Sequence, residues 1–250
     1  MPYVFGIHAV ESILINRPKD VICLFLKENR TDKRKEKLYQ LATAKNIKIQ
    51  ICAINSLNEM VSEKHQGAIV QIKEELKESS SIELDLAQLT SLIEKAEGKA
   101  LILILDGITD PQNLGACLRT SDAAGVTAVV IPKNKSVGIT SVVRKVACGA
   151  VEVVPIFKVT NLARLLRQLK KQGVWIYGAT EKASKQIYDV DLTDDVAIVL
   201  GGESKGLRRL TQENCDSIFR IPMGGSVTSL NVSVAVGICL FESVRQRGSA

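Results

Sequence analysis

Six short apolar runs, rich in β-branched residues, alternate with helix-like stretches through the latter part of the chain. They are LILILD at 101–106, TAVVIP at 127–132, VEVVP at 151–155, VWIYG at 174–178, VAIVL at 196–200 and IFRIP at 218–222. Strands that are apolar throughout, each followed by a crossover helix, build a mostly parallel α/β sheet covered on both faces. The ligand of such a sheet sits at the carboxyl ends of its strands. Neither nucleotide fingerprint is present, because no strand is followed by GxGxxG or by GxxxxGK with Ser or Thr after it.

Before these strands lies a smaller α/β unit. GIHAVESILIN is an amphipathic helix, VICLFL a strand, DKRKEKLYQLATAK a basic helix, and KIQIC and GAIVQIK two further strands. His65-Gln66-Gly67 makes the turn into the last of them. KEELKESSSIELD then loses all hydrophobic period and reads as a linker. The division expected is a domain over 1–75, a linker over 76–86 and a second domain over 87–250. At 250 residues and 46% hydrophobic, the chain can bury the cores this requires.

No apolar run reaches membrane-spanning length, and the first residues lack the pattern of a secretory leader. The six cysteines lie far apart without a CxxC, which fits reduced thiols in a cytoplasmic protein. Both histidines, His8 and His65, fall in the first third, so no His-centred metal site or triad is expected. The net charge of +6 leans toward a polyanionic partner. Aromatics are only 4%, so a nucleic acid would be held by phosphate and ribose more than by stacked bases.

Three stretches carry candidate chemistry. After LILILD comes DPQNLGACLRTSDAAG, with Asp110 as a helix cap and Pro111 at the first helical position. Asn113 lies in the first turn and Arg119 six residues on, a spacing that does not share one helix face. VAIVL runs into GGESKG, where glycines let a ligand approach the backbone and Glu203 is held at the turn. IPMGGSVTSLNVSVAVGICLFESVRQR, residues 221–247, passes through a second glycine loop into a long apolar helix from Leu230. Ser229 and Asn231 sit at the mouth of that helix. It is apolar nearly all round and should be covered on more than one side.

DPQNLGACLRTSDAAG, LGGESKGL and IPMGGSVTSLNVSVAVGICLFE, in that order, resemble the three motifs of the SPOUT superfamily of RNA ribose methyltransferases, in its TrmH-like branch. The resemblance spans the whole second domain. The N-terminal unit, with its GIHAV start and HQG turn, is similar to the RNA-substrate-binding domain of the members that methylate a guanosine 2′-hydroxyl of 23S ribosomal RNA. Lys205 replaces an acidic residue but leaves the Gly-x-Glu-x-x-Gly frame intact.

The resemblance implies a catalytic domain with a deep trefoil knot, a rare exception among topologies. It implies S-adenosylmethionine as cofactor, lined by Gly201, Ile221 and Leu230, and a homodimer with ribosomal RNA as substrate. Asn113, Arg119, Glu203, Ser229 and Asn231 match the active-site positions. It makes Arg119 the base. An arginine ordinarily keeps its proton, so the alternative is that Arg119 binds phosphate and steadies a developing alkoxide. Two other functions compete: the same chemistry on transfer RNA, and an RNA-binding module without catalysis.

Overall fold

The computed structural model describes residues 3–28, 32–62, 65–73, 82–83, 85–202 and 206–248. The chain divides into two compact units, Met1–Ser80 with Ile139–Val153, and Ser81–Gly138 with Val154–Ala250.

The first unit contains β1 (Tyr3–Phe5), α1 (Ile7–Asn16), β2 (Val21–Lys27), α2 (Lys33–Ala44), β3 (Lys48–Cys52), α3 (Ile54–Met60) and β4 (Ala68–Ile72). Its four-stranded sheet has the order β1-β4-β2-β3, with β2 and β3 parallel and the other pairs antiparallel. Val10 and Leu14 of α1 and Leu38 of α2 pack on Leu24 and Val70, the apolar face of each amphipathic helix meeting the sheet. Helix α2 opens on Asp32, whose carboxylate accepts from the Arg34 amide at 3.0 Å.

The HQG turn works through its side chains. Gln66 Oε1 accepts from the Ile7 amide at 3.2 Å and so satisfies an open donor of α1. His65 Nδ1 accepts from the Gly67 amide at 3.0 Å, which leaves Nε2 to donate to Asn58 Oδ1 at 2.9 Å. The ring is thereby held neutral, and burial pushes its pKa below the ordinary value. Gln66 and Gly67 both take positive φ, 55° and 78°.

The chain returns to the first unit through α6 (Ser141–Ala147) and a 3-10 turn over Ala150–Glu152. Here the expectation of a strand at VEVVP is corrected. Glu152 is buried, paired with Arg144 and 3.7 Å from Arg17, and Cys148 and Gly149 before it are left-handed. A buried ion pair and two positive-φ residues cannot sit in an extended ladder, so the β-branched run folds as a turn. The strand forms directly after the run, at Ile156–Val159.

The second unit holds β5 (Ile82–Glu83), α4 (Leu86–Lys95), β6 (Leu101–Asp106), α5 (Pro111–Ala123), β7 (Ala128–Pro132), β8 (Ile156–Val159), α7 (Leu162–Lys171), β9 (Trp175–Ala179), β10 (Val196–Gly201), α8 (Arg209–Glu213), β11 (Ser217–Phe219) and α9 (Val232–Gln246). The seven strands follow the order β11-β9-β10-β6-β7-β8-β5, and every neighbouring pair is parallel. From β6 the chain steps through β7 to β8 on one side, then crosses to the other for β9 to β11. The switch point therefore lies between β6 and β10. Ile102, Ile104, Val130, Ile176 and Val199 form the buried centre with Leu165 and Leu169 of α7.

Ile82–Glu83 of β5 lies inside the stretch expected as a linker and extends the sheet edge beside β8. All six cysteines are free thiols, and burial pushes Cys239 up to about 12 and Cys215 to about 11. No helix among the described residues is long and apolar enough to cross a membrane.

Candidate active site

The site forms at the switch point because β6 and β10 are in register there, Leu105 beside Leu200 and Asp106 beside Gly201. Each strand then releases a loop. The β6 loop turns at Gly107, with φ 91°, and reaches α5, where Asp110 accepts from the Gln112 amide at 2.9 Å and Pro111 starts the helix. This is the start expected from the sequence. It places Asn113 in the first turn, buried, and Arg119 exposed further along the same helix.

The β10 loop begins with Gly201 and Gly202. A Cβ on Gly201 would fall inside the van der Waals radii of Gly206 and the Leu207 amide, and one on Gly202 would lie 2.6 Å from the Gly107 carbonyl oxygen. Both glycines are required by close backbone approach. Gly206 N–H donates to the Gly202 carbonyl at 2.9 Å. Glu203, with Ser204 and Lys205, lies outside the described residues.

Beneath this loop is a pocket of about 530 Å³, within the range of small-molecule sites. Gly201, Gly202 and Gly206 line it together with Ile221, Ser229 and Leu230. Gly224 and Gly225, the glycines expected to form a second ligand loop, are exposed and do not line it. The lining of that segment comes from Ile221, Met223 and Thr228–Val232 instead.

Asn231 does two things at once. Its Oδ1 accepts from the Ser233 amide at 2.9 Å and the Ser233 hydroxyl at 2.6 Å, which caps α9. Its Nδ2 donates to Asn113 Oδ1 at 3.0 Å. Two residues 118 positions apart are thus joined at the rim of the pocket. Ser229, expected to share the capping role, lies exposed on the pocket wall, and α9 begins at Val232.

The far end of α9 is fixed as firmly. Buried Glu242 accepts two hydrogen bonds from Arg245, at 2.7 and 2.8 Å, which hold its carboxyl below the usual range against the upward push of burial. Gln246 also donates to Glu242, and it ties the helix to Val190 and Leu192. The apolar surface of α9 is not all covered within the chain, for Val234 is 51% and Phe241 49% exposed.

Sequence reasoning missed one wall of the pocket. Ala179, Thr180, Glu181 and Lys182, at the carboxyl end of β9, line it. Only the general rule that ligands gather at strand ends pointed there. Among the described residues no group of three or more His, Cys, Asp or Glu side chains could hold a metal ion.

The profile of the SpoU rRNA Methylase family matches residues 100–241, and that of the RNA 2′-O ribose methyltransferase substrate-binding domain matches residues 3–76. The chain is 50% identical over 245 residues to the 23S rRNA (guanosine-2′-O-)-methyltransferase RlmB of Coxiella burnetii, covering 98% of this chain and 95% of that one. Among solved structures, an RNA 2′-O ribose methyltransferase superposes with a TM-score of 0.76 at 25% identity, covering 98% of this chain and 88% of the other. The SpoU methyltransferase AviRb from Streptomyces viridochromogenes, in complex with AdoMet, shares the fold with a TM-score of 0.77 at 20% identity, covering 99% of this chain and 91% of the other.

Proposed function

The chain belongs to the SpoU rRNA methylase family, and from that membership and the pocket we propose how it works. It transfers the methyl group of S-adenosylmethionine to the ribose 2′-hydroxyl of a guanosine in 23S ribosomal RNA. Its N-terminal substrate-binding domain, taken as residues 1–75, captures the RNA, and residues 87–250 carry the chemistry. Work on ribosomal RNA supports a cytoplasmic location.

The observation that carries this reading is the Asn231–Asn113 hydrogen bond at the rim of the pocket. It ties the wall that holds the cofactor to the helix that faces the substrate. The pocket fits the cofactor in size and in kind. The close-packed Gly201 brings bare backbone to the lining, and Ile221 and Leu230 supply apolar surface. When bound there, S-adenosylmethionine supplies an electrophilic methyl group on a sulfonium sulfur.

The residues of the chain do the positioning. Asn113 and Asn231 fix each other's amides, so that neither has to reorder when the ribose arrives, and such preorganisation can lower a barrier by several kcal/mol. Ser229, on the wall beside Asn231, and Glu203 engage the ribose and the loop around it. Arg119, exposed on α5, binds the RNA and steadies the charge that develops on the 2′-oxygen. Its guanidinium suits that role better than proton abstraction, because an arginine keeps its proton in almost any protein setting.

Two further properties belong to the same reading. The segment from Ile221 through α9 threads the loops to form the family's trefoil knot, a reading supported by its lining of the same pocket as Gly201, Gly202 and Gly206. Val234 and Phe241 pack against a second copy, making a homodimer whose partner helps to cover Arg119.

The test is methyl incorporation from radiolabelled S-adenosylmethionine into unmethylated 23S rRNA, with transfer RNA in parallel. Label is expected in a 2′-O-methylguanosine of the 23S rRNA. Label confined to transfer RNA, or none, would overturn the reading.

A further inference from the structure

Asp106 ends β6 with its side chain fully buried. Oδ2 accepts from the Thr211 hydroxyl at 2.7 Å and the Arg208 amide at 3.3 Å. Oδ1 makes no hydrogen bond but lies 3.3 Å from Nη1 of Arg208. The guanidinium is therefore held against the end of β6. Gly107 makes the room for it, since a Cβ at that residue would stand 2.9 Å from Nη2 of Arg208.

This arginine is held between the two loops that build the site. Gly107 begins the loop to α5 and Asn113. Gly202, on the pocket wall, donates to the Asp106 carbonyl at 3.1 Å. Yet the Arg208 side chain keeps 42% of its surface exposed. A guanidinium carries five N–H donors in a planar fork that matches phosphate. Among the described residues, Asp106 is the carboxylate paired with the Arg208 guanidinium. A counter-ion serving only to neutralise Asp106 would gain nothing from that exposure. The buried carboxylate anchors one end of the fork over Gly107, whose carbonyl lies against Gly202 of the pocket wall, and part of the side chain stays open to solvent.

We propose that Arg208 is an RNA-positioning residue: it binds a backbone phosphate next to the target nucleotide and sets the 2′-oxygen against the pocket. Asp106 acts through it by fixing the orientation of the fork. The proposal rests on the methyltransferase reading above and adds a substrate contact to it.

The test uses full-length protein and in-vitro transcribed, unmethylated 23S rRNA. Arg208→Gln should weaken RNA affinity about ten-fold, the worth of one charge-assisted hydrogen bond. It should also flatten the slope of log affinity against log salt by roughly 0.7–1, with S-adenosylmethionine affinity within about two-fold. Arg208→Lys keeps the charge and should retain the slope while losing affinity, because the fork is gone. Arg208→Gln alone strands a buried carboxylate, so Asp106→Asn/Arg208→Gln serves as the variant with no charge left uncompensated. It should fold, bind the cofactor and still show the flattened slope. Wild-type RNA affinity and slope in that folded double variant would overturn the proposal. If the wild-type protein bound the 23S rRNA without methylating it, the enzyme reading would fail, and the salt slopes would still decide the role of Arg208.

Discussion

Replacing Gly201 by alanine adds one carbon at the tightest backbone crossing of the site. The new Cβ would come closer than 3.0 Å to three atoms, the carbonyl carbon and oxygen of Gly206 and the amide nitrogen of Leu207. Ordinary contact begins at 3.4 Å, and all three atoms are backbone, so no flexible side-chain end can yield. The Gly206–Leu207 segment must retreat by about 1 Å or more. Gly206 lines the pocket, so the wall moves with it.

Overpacking of this kind costs about 1–3 kcal/mol, and each kcal/mol lowers the melting temperature of a chain this size by about 2–4 °C. Misplacement approaching 1 Å costs about 100-fold in rate. Gly201→Ala should therefore melt roughly 2–12 °C lower and bind S-adenosylmethionine at least about ten-fold more weakly. Its methyl transfer should fall about 100-fold. Thermal melts with and without the cofactor, calorimetry and a radiolabel assay measure all three. Gly224→Ala, where nothing lies within 4 Å, is the control and should melt with the wild type. A Gly201→Ala protein with wild-type melting temperature and cofactor affinity would refute the claim that this glycine is required by close approach.

Arg119→Ala should lower methyl transfer by about 100-fold or more, the usual cost of losing one transition-state donor, with cofactor affinity unchanged within a few-fold; substantial residual turnover would remove Arg119 from the mechanism. Sedimentation at micromolar concentration should find a dimer, and Val234→Glu/Phe241→Glu should dissociate it by placing two charges on the apolar face of α9; an active wild-type monomer would contradict the shared site. Lys33, Arg34 and Lys35 reversed to glutamate should flatten the salt dependence of RNA binding with little change in cofactor affinity, and an unchanged slope would locate RNA docking elsewhere. Lys37 is left out of that variant because it is already paired with Glu11.

Much of this architecture was legible in the chain. Apolar runs of strand length between amphipathic helices specify a parallel sheet, since both its faces must be covered, and five of the six runs formed strands. Asp110 and Pro111 marked the start of α5 because a helix leaves its first amides open and a proline has none to leave. The glycines after β10 marked close approach for an equally local reason.

What the tertiary structure decided were the matters in which distant residues meet. VEVVP has a strand composition, yet the burial of Glu152 against Arg144 and Arg17 makes it a turn. Asn113 and Asn231 are 118 residues apart, and Asp106 and Arg208 are 102 apart. Asp106 and Arg208 meet because β6 lies beside β10, and Asn113 and Asn231 because α9 packs on α5. A local pattern records whether a segment buries one face or both, and says nothing of which strand lies next to which. The rim of the pocket, the wall at Ala179–Lys182 and the arginine pinned over Gly107 all follow from strand order, which is settled by the packing of the whole sheet.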